Sequence, residues 1–191
     1  MRIRTLASVT IAMAALGLAF VATPAQAAAQ PLHCVVDLAA KSAAPACYTS
    51  FTRAIAEATD GRVTNAPADA GAALRDRDLT ARLGATGATK DRASIAVDVL
   101  IGIEYWDSGF SGSTYTFTAP WGCTGTTGDV DWEFAALPSN WNDEIGSYRG
   151  FSNCWTKHYE HSYFGGISTA YDGGLSDMGW MDDETSSLRW S

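Results

Sequence analysis

Asp182-Asp183-Glu184-Thr185-Ser186-Ser187 stands near the end of the chain, and each of these residues carries an oxygen in its side chain. Hard oxygen ligands of this kind are the type that calcium prefers. Because calcium takes about six to eight oxygens, one such turn cannot complete a site. The chain contains a weaker copy, Asn142-Asp143-Glu144-Ile145-Gly146-Ser147, in which Gly146 replaces one hydroxyl. A complete site would require the fold to bring the earlier copy (turn 1) and the later copy (turn 2) face to face.

The N-terminus has the pattern of a secretory signal peptide over residues 1–27. Arg2 and Arg4 form its positive region, Val9 to Val21 its apolar core, and Ala25-Gln26-Ala27 a small-residue cleavage site. The apolar run is short for a membrane span, and no stop-transfer charges follow it. We therefore expect a secreted, extracellular protein that has no membrane attachment once the signal peptide is removed.

Four cysteines lie after this segment, at Cys34, Cys47, Cys123 and Cys154. In an oxidising compartment an even count indicates two disulfides, for which three pairings are possible. We favour Cys34 with Cys47 and Cys123 with Cys154, because each bridge then falls within one compositional region. A zinc site is disfavoured, since the spacings are wide and no Cys-x-x-Cys occurs in the sequence.

Charge and aromatic content both change near residue 95. Residues 28–100 hold eight acidic and eight basic residues, whereas residues 101–191 hold thirteen acidic and three basic residues. All seven tryptophans follow Tyr105. These shifts predict a disulfide-closed N-terminal segment over 28–93 and a second domain over 94–191. The acidic balance argues against nucleic acid as a partner, because binding nucleic acid needs a basic surface.

The N-terminal segment is expected to contain one strand and one amphipathic helix. Leu32 to Leu38 is a short apolar run, and apolar residues recur at helical spacing between Tyr48 and Thr59. A weaker helical pattern lies around Ala72 to Leu83, and residues 62–92 contain no aromatic side chain. We therefore predict that most of 62–92 is a mobile connection with few residues to bury.

From Ser94 onwards the pattern is that of short β-strands. Apolar residues from Ile95 to Ile103 alternate with smaller or polar ones, which is typical of a half-buried strand. Further short runs are separated by Gly, Pro, Asn and Ser clusters, and they are Tyr115–Phe117, Trp132–Phe134, Ser147–Arg149, Trp155–Tyr159, Ile167–Tyr171 and Ser187–Trp190. Strands at this spacing predict an antiparallel sandwich or barrel.

An internal repeat indicates a duplicated unit. Tyr105-Trp106-Asp107-Ser108-Gly109-Phe110-Ser111-Gly112 matches His158-Tyr159-Glu160-His161-Ser162-Tyr163-Phe164-Gly165. Each copy is a strand, a polar turn, an aromatic residue, one further residue and a glycine. The glycine would supply a backbone angle that a Cβ disfavours, and the aromatic ring would pack over the hairpin. Each hairpin precedes one oxygen-rich turn, so two four-stranded units are expected.

These two ordered halves resemble a βγ-crystallin domain. That family has two Greek keys, each with an aromatic-x-Gly hairpin and a later Asn/Asp-Asn/Asp-x-x-Ser/Thr-Ser stretch. The match covers about residues 97–191. The resemblance implies a mainly β protein, a double Greek-key sandwich, with a small α+β segment before it.

The resemblance also implies a metal site. In microbial members of the family the paired stretches form a two-ion calcium clamp, in which each ion takes ligands from both stretches. Carried over by position, the ligand residues are Asn142, Asp143 and Ser147 in turn 1, and Asp182, Asp183, Ser186 and Ser187 in turn 2. Asp183 and Ser186 would be the strongest ligands, and the backbone carbonyls of Glu144 and Glu184 would complete the coordination. The alternative is that these side chains only cap local backbone groups.

The departure at Gly146 leads us to expect one intact and one impaired calcium site. On this reading the protein is a monomer whose only cofactor is Ca²⁺, and the ion stabilises the fold.

A second hypothesis comes from the different lengths of the two units. Thirty residues separate the hairpin glycine from the oxygen-rich turn in the first unit, against seventeen in the second. The extra length falls around Pro120 to Asp131, a glycine- and threonine-rich loop that contains Cys123. Long loops on rigid scaffolds are often functional. Because secreted metalloproteinase inhibitors with this fold present such a loop, the alternative function is inhibition of an extracellular protease, or antagonistic binding of another partner.

No catalytic pattern stands out, and we do not expect an enzyme. His158 and His161 flank Glu160, but a zincin motif needs two histidines four residues apart on a helix. Here they lie three apart in a predicted hairpin, and we expect both at the surface. The sequence also contains no Gly-x-Ser-x-Gly elbow.

Overall fold

Ten β-strands form two sheets in residues 30–40, 44–84 and 98–191, which are the residues that this computed structural model describes. The strands are β1 (His33–Asp37), β2 (Ala46–Tyr48), β3 (Val99–Asp107), β4 (Ser111–Ala119), β5 (Trp132–Phe134), β6 (Ser147–Gly150), β7 (Thr156–His161), β8 (Gly165–Ser168), β9 (Gly174–Leu175) and β10 (Ser187–Trp190). One sheet has the order β2-β1-β4-β3-β6-β9, and the other has the order β5-β10-β7-β8. The expected signal peptide at 1–27 lies outside the described residues.

The strand order is that of two Greek keys that exchange their third strands. In the first unit β3 and β4 form a hairpin, β5 crosses to the other sheet, and β6 returns to pair with β3. In the second unit β7 and β8 form a hairpin, β9 crosses to pair with β6, and β10 returns to β7. The mainly β, double Greek-key sandwich expected from the sequence is therefore confirmed.

In residues 30–40 and 44–84, the N-terminal segment adds two strands and three helices to this sandwich. Strand β1 pairs in parallel with β4, and β2 pairs with β1, so the segment extends the larger sheet. The helices are α1 (Phe51–Ala58), α2 (Ala70–Arg75) and α3 (Arg77–Gly84). The favoured disulfide pairing is also confirmed, because Cys34 is bonded to Cys47 and Cys123 to Cys154. The domain division near residue 94 stays a prediction, since residues 85–97 are not among those described.

The sandwich has two apolar cores, one on each face of the larger sheet. The core between the sheets includes Phe117, Trp141 and Trp190, and the core beneath the helices includes Ile55 and Leu79. The register of β3 against β4 shifts between Leu100 and Gly102, which marks a β-bulge.

Because of this bulge, the odd-numbered apolar residues before it and those after it pack into different cores. Val99 and Ile101 pack between the sheets, whereas Ile103 and Tyr105 pack under the helices. The single alternating face predicted from Ile95 to Ile103 is therefore wrong beyond the bulge, because the extra residue reverses the alternation. The predicted beginning of that strand, at 95–97, lies outside the described residues.

Residues 62–84 differ from the predicted mobile connection. Val63, Ala66, Ala73 and Leu83 are all buried against the sheet, in the core beneath the helices. Two short helices replace the one weak helix predicted around Ala72 to Leu83. Small side chains let these helices approach the sheet closely, so the segment buries much of itself without aromatic residues. Within the described ranges no helix is both long and apolar enough to span a bilayer.

Candidate metal centre

The two oxygen-rich turns lie side by side at one end of the sandwich. The Asp143 N–H donates to the Thr185 carbonyl at 3.0 Å, and the Asp183 N–H donates to the Ile145 carbonyl at 3.3 Å. Donor and acceptor occupy the same two positions in each turn, so the two hydrogen bonds are equivalent and cross between the Greek keys. Asp143 and Asp183 both adopt a left-handed backbone, with φ of 60° and 56°. Aspartate tolerates this conformation better than most residues.

Each turn also fastens one hairpin through a buried serine. Ser147 Oγ accepts from the Phe110 N–H at 3.0 Å and donates to the Asp107 carbonyl at 2.6 Å. We call residues 107–112 hairpin 1. Ser187 Oγ makes the equivalent bonds to the Phe164 N–H at 3.0 Å and the His161 carbonyl at 2.7 Å, in residues 161–166, which we call hairpin 2. These two hydroxyls are therefore occupied by the hairpins of their own Greek keys.

The serine bonds show that the repeat is aligned one residue later than the sequence suggested. Phe164, rather than Tyr163, is the equivalent of Phe110. The Phe110 ring meets Tyr105 edge-on at 5.5 Å, and the Phe164 ring meets Tyr159 edge-on at 5.6 Å. The predicted hairpin glycine of the second copy is also wrong. Gly112 and Gly166 have φ of 79° and 74°, whereas Gly165 has φ of −87°.

A carboxylate of turn 1 meets a hydroxyl of turn 2 near hairpin 2. Ser186 Oγ donates to Asp143 Oδ1 at 3.2 Å, and Asn142 Nδ2 donates to Asp143 Oδ2 at 2.6 Å. The Ser186 N–H donates to the Tyr159 carbonyl at 2.9 Å, which holds turn 2 against β7. The structure thus brings Ser186 of turn 2 to Asp143 of turn 1.

Asp183 lies beside hairpin 1, away from the contact between Asp143 and Ser186. An open depression there is lined by Trp106, Asp107, Ser108, Asp182 and Asp183. We call it the hairpin-1 depression. Burial raises the pKa of the Asp182 carboxyl, and the nearby carboxylates of Asp183 and Asp177 raise it further. The depression therefore concentrates negative charge that repels itself and that a cation would neutralise. Asp107, Ser108 and Asp177 were not expected from the sequence motif.

The missing hydroxyl at Gly146 has a steric cause. A Cβ at this position would lie 2.7 Å from the Asp107 carbonyl carbon and 2.8 Å from the Trp106 carbonyl oxygen. The backbone of hairpin 1 occupies the space that a serine would need. Turn 1 therefore packs directly on the hairpin where turn 2 presents the Ser186 hydroxyl.

The remaining predicted ligands lie at the rim of the paired turns. The side chain of Glu184 is exposed, and that of Glu144 is half-buried. Within residues 30–40, 44–84 and 98–191, no three His, Cys, Asp or Glu side chains are grouped closely enough to hold a metal ion by themselves. Carbonyl and hydroxyl oxygens are regular calcium ligands alongside carboxylates. The residues present match calcium's preference for oxygen, with carboxylates, a hydroxyl and backbone carbonyls at the same end of the sandwich.

One histidine that was expected at the surface lies in the interior. His158 is fully buried, and its Nε2 lies 3.1 Å from Glu104 Oε2, so this pair joins β7 of one sheet to β3 of the other. The expectation of a surface position is wrong for His158, because the bulge in β3 turns Glu104 into the interior to meet it. His161, the other histidine of the pattern, is exposed.

The long loop of the first unit is braced from several sides. The Cys123–Cys154 disulfide ties it to the segment before β7. Thr126 Oγ1 donates to Asp129 Oδ1 at 2.7 Å, and the Thr124 N–H donates to Asp131 Oδ2 at 2.8 Å. The hydroxyl of Ser191 reaches the Asp129 carbonyl at 2.8 Å.

Comparison with known proteins shows a likeness to solved structures. No protein-family model matches the chain, and no curated protein matches it. A βγ-crystallin from an archaeon is 23% identical, covers 48% of this chain and 98% of its own, and superposes with a TM-score of 0.35. A βγ-crystallin domain from Flavobacterium johnsoniae is 23% identical, with coverage of 48% and 93% and a TM-score of 0.35. A mutant βγ-crystallin domain from Clostridium beijerinckii is 16% identical, with coverage of 47% and 95% and a TM-score of 0.35.

These similarities concern the fold. The double Greek-key architecture stands on the strand order and the exchanged third strands of this chain.

Proposed function

We propose that this protein is an extracellular calcium-binding protein in which the ion stabilises the fold. The observation that carries the proposal is the crossed pair of backbone bonds between Asp143 and Thr185 and between Asp183 and Ile145. These bonds hold turns from two different Greek keys side by side. A cation bound between them would be lost on unfolding, because the two turns separate when either key opens.

The donor chemistry supports two positions for an ion. Near hairpin 2, Asp143 offers a carboxylate and Ser186 a hydroxyl from opposite turns. The hairpin-1 depression is lined by Asp107, Asp182 and Asp183, whose carboxylates would need backbone or hydroxyl oxygens beside them to hold an ion, and Gly146 contributes no hydroxyl. A bound calcium ion would supply positive charge to both places, where this acidic half of the chain has little of its own. Calcium tolerates irregular oxygen sets better than magnesium, so it is the preferred divalent ion.

Calcium should then act as a stabilising ligand. An ion that binds only the folded state adds about 2.7 kcal/mol when its free concentration is a hundredfold above the dissociation constant. The test is thermal unfolding of the disulfide-intact protein with excess chelator and with millimolar calcium, together with calorimetric titration of the calcium-free protein. We expect a higher melting temperature and measurable binding heat with calcium, and smaller effects with magnesium. An unchanged melting temperature and no heat at millimolar calcium would refute the proposal.

The extracellular location is part of the same proposal. Two disulfides suit an oxidising compartment, and the sequence pattern of residues 1–27 is that of a secretory signal. Mass spectrometry of the exported protein tests this, since cleavage after Ala27 would give a chain that begins at Ala28.

A second candidate function is inhibition of an extracellular protease by the loop from Pro120 to Asp131. The supporting observation is its bracing by the Cys123–Cys154 disulfide and by the Thr126–Asp129 hydrogen bond. A loop that is already ordered binds a cleft at lower entropic cost. Incubation with a thermolysin-like metalloproteinase tests it, with the double substitution Thr126→Ala and Asp129→Ala as the loosened comparison. Unchanged peptide turnover at a molar excess of the unmodified protein would rule out inhibition of that protease class.

A further inference from the structure

Helix α2 packs directly on the backbone of hairpin 1. A Cβ placed on Gly71 would lie 2.9 Å from the carbonyl oxygen of Phe110, closer than a side-chain carbon normally comes to a backbone oxygen. Gly71 is buried, so the helix backbone itself forms this contact. Phe110 has a left-handed backbone with φ of 63°, and its N–H donates to Ser147 Oγ of turn 1. The backbone of Phe110 therefore contacts both α2 and turn 1.

The beginning of the described chain contacts the same hairpin region. The Leu32 N–H donates to Ser113 Oγ at 3.0 Å, and the Thr114 N–H donates to the Leu32 carbonyl at 3.0 Å. Residues 30–32 also line a shallow groove together with Trp106 and Asp107. The N-terminal segment thus contacts hairpin 1 through α2, and the residues that lead into β1 contact the part of β4 that directly follows the hairpin.

Hairpin 2 is covered in a different way. The Arg189 guanidinium lies 3.9 Å from the centre of the Phe164 ring, whereas α2 lies against the backbone carbonyl of the equivalent Phe110. Tyr163 at the tip of hairpin 2 is 78% exposed. The molecule therefore offers an internal comparison between a hairpin that the N-terminal segment braces and one that Arg189 covers.

We propose that docking of the N-terminal segment through α2 is coupled to cation binding at the hairpin-1 depression, so that each strengthens the other. This inference rests on the proposed calcium function and adds its regulation. Hairpin 1 contributes Asp107 and Ser108 to the depression, and α2 holds the turn that carries them. A turn that is already held loses less freedom when the ion binds. Since coupling between two equilibria is reciprocal, the ion must also strengthen the docking of α2.

The first measurement compares Gly71→Ala with Gly84→Ala. The added methyl at position 71 meets a backbone oxygen and must displace α2 from the hairpin, whereas at position 84 the nearest atom is 4.0 Å away, the Ser152 nitrogen. Both substitutions are made together with Asp143→Asn, which weakens the other calcium position. In calorimetric titrations we expect Gly71→Ala to weaken calcium binding about fivefold or more, and Gly84→Ala to leave it unchanged.

The second measurement follows α2 itself by hydrogen–deuterium exchange. We expect calcium to slow exchange in 70–75 of the unmodified protein, and to do so less in Gly71→Ala. Asp69→Ala serves as a milder variant, because Asp69 is exposed and caps α2 by accepting from the Ala72 N–H at 2.6 Å. It should loosen α2 without touching the hairpin, and it should weaken calcium binding in the same direction.

The outcomes separate this inference from the function on which it rests. Equal calcium affinity of the Asp143→Asn protein with and without Gly71→Ala or Asp69→Ala, together with α2 exchange that calcium does not change, would overturn the coupling and leave calcium binding intact. No binding to the unmodified protein would overturn both.

Discussion

Ser186 Oγ lies 3.2 Å from Asp143 Oδ1, although 43 residues separate the two in the chain. Each partner is held in place by its own backbone bond, from the Ser186 N–H to the Tyr159 carbonyl and from the Asp143 N–H to the Thr185 carbonyl. The two oxygens are thus positioned by the fold and not by each other. A cation that took the place of this hydrogen bond would need the Ser186 O–H to turn away from Asp143, but little rearrangement of the chain.

Removing the Ser186 hydroxyl should weaken calcium binding. Ser186→Ala takes away one neutral oxygen but leaves both backbone bonds in place, so the turns stay paired. We expect the affinity at this position to fall about tenfold, which corresponds to about 1.4 kcal/mol. Calorimetric titration measures it, with the exposed Ser139→Ala as a matched control. Equal dissociation constants for Ser186→Ala and the control would show that the hydroxyl is only a local cap.

Asp182→Asn should have opposite effects with and without calcium. The pKa of Asp182 is raised by burial and by Asp183 and Asp177, so its ionised form is disfavoured in the folded state. Without calcium at neutral pH, removing this charge should raise the melting temperature. With calcium it should reduce the rise that the ion produces. Thermal unfolding in chelator and in calcium measures both. The exposed Asp78→Asn removes a charge from the first turn of α3, so it should not raise the melting temperature in chelator and should leave the calcium-induced rise unchanged. A variant less stable than the unmodified protein in chelator would contradict the repulsion.

Much of the architecture could be predicted because its signals are local. Residues Trp132–Phe134 and Ser187–Trp190 form β5 and β10 with the expected bounds, since alternating apolar residues between turn formers specify short strands. The pairing of the two turns was implied by the resemblance to βγ-crystallin domains, and the Asp143–Thr185 backbone bond shows the two turns side by side. The disulfides followed from the compositional division of the chain.

Other features depend on contacts that no local pattern records. Two adjacent aromatic residues, Tyr163 and Phe164, precede two adjacent glycines, so the hairpin alignment was ambiguous by one residue until the Ser187 bonds resolved it. Strand β9 has only two residues and exists because β6 lies beside it. The extent of α2 and α3 was underestimated because alanine has a small apolar side chain that contributes little to a hydrophobic pattern, although Ala70 and Ala73 are almost completely buried.

The two buried serines that fasten the hairpins should contribute comparably to stability. Ser147→Ala would leave the Phe110 N–H and the Asp107 carbonyl without this partner, and Ser187→Ala would do the same to Phe164 and His161. Each substitution should lower the free energy of unfolding by about 1–3 kcal/mol. Urea denaturation in chelator measures the loss apart from any effect on metal binding.

The comparison residue for these serine variants is Ser111, whose exposed hydroxyl donates to the Ser108 carbonyl at 3.0 Å. Because water can replace that bond, Ser111→Ala should cost much less. Similar losses for all three variants would mean that the buried position of the two serine hydroxyls does not matter.

The buried Glu104–His158 pair should make stability depend on pH. Burial raises the pKa of the Glu104 carboxyl, and His158 opposes this rise. Glu104 therefore binds more protons in the folded than in the unfolded state. Its contribution favours folding below the unfolded pKa, about 4, and is lost as pH rises through the higher folded pKa.

Glu104→Gln removes this titration and keeps a side chain of similar size. The unfolding free energy of the unmodified protein, minus that of Glu104→Gln, should be largest near pH 4 and should fall as pH rises, by up to about 1.4 kcal/mol per pH unit. Urea denaturation from pH 4 to pH 7 measures the difference. Glu133→Gln, at a carboxylate that is 54% exposed beside Arg189, is the matched control for replacing a carboxylate by an amide. A Glu104→Gln difference that does not change over this range, or that grows with pH, would show that burial does not govern the titration of this carboxyl.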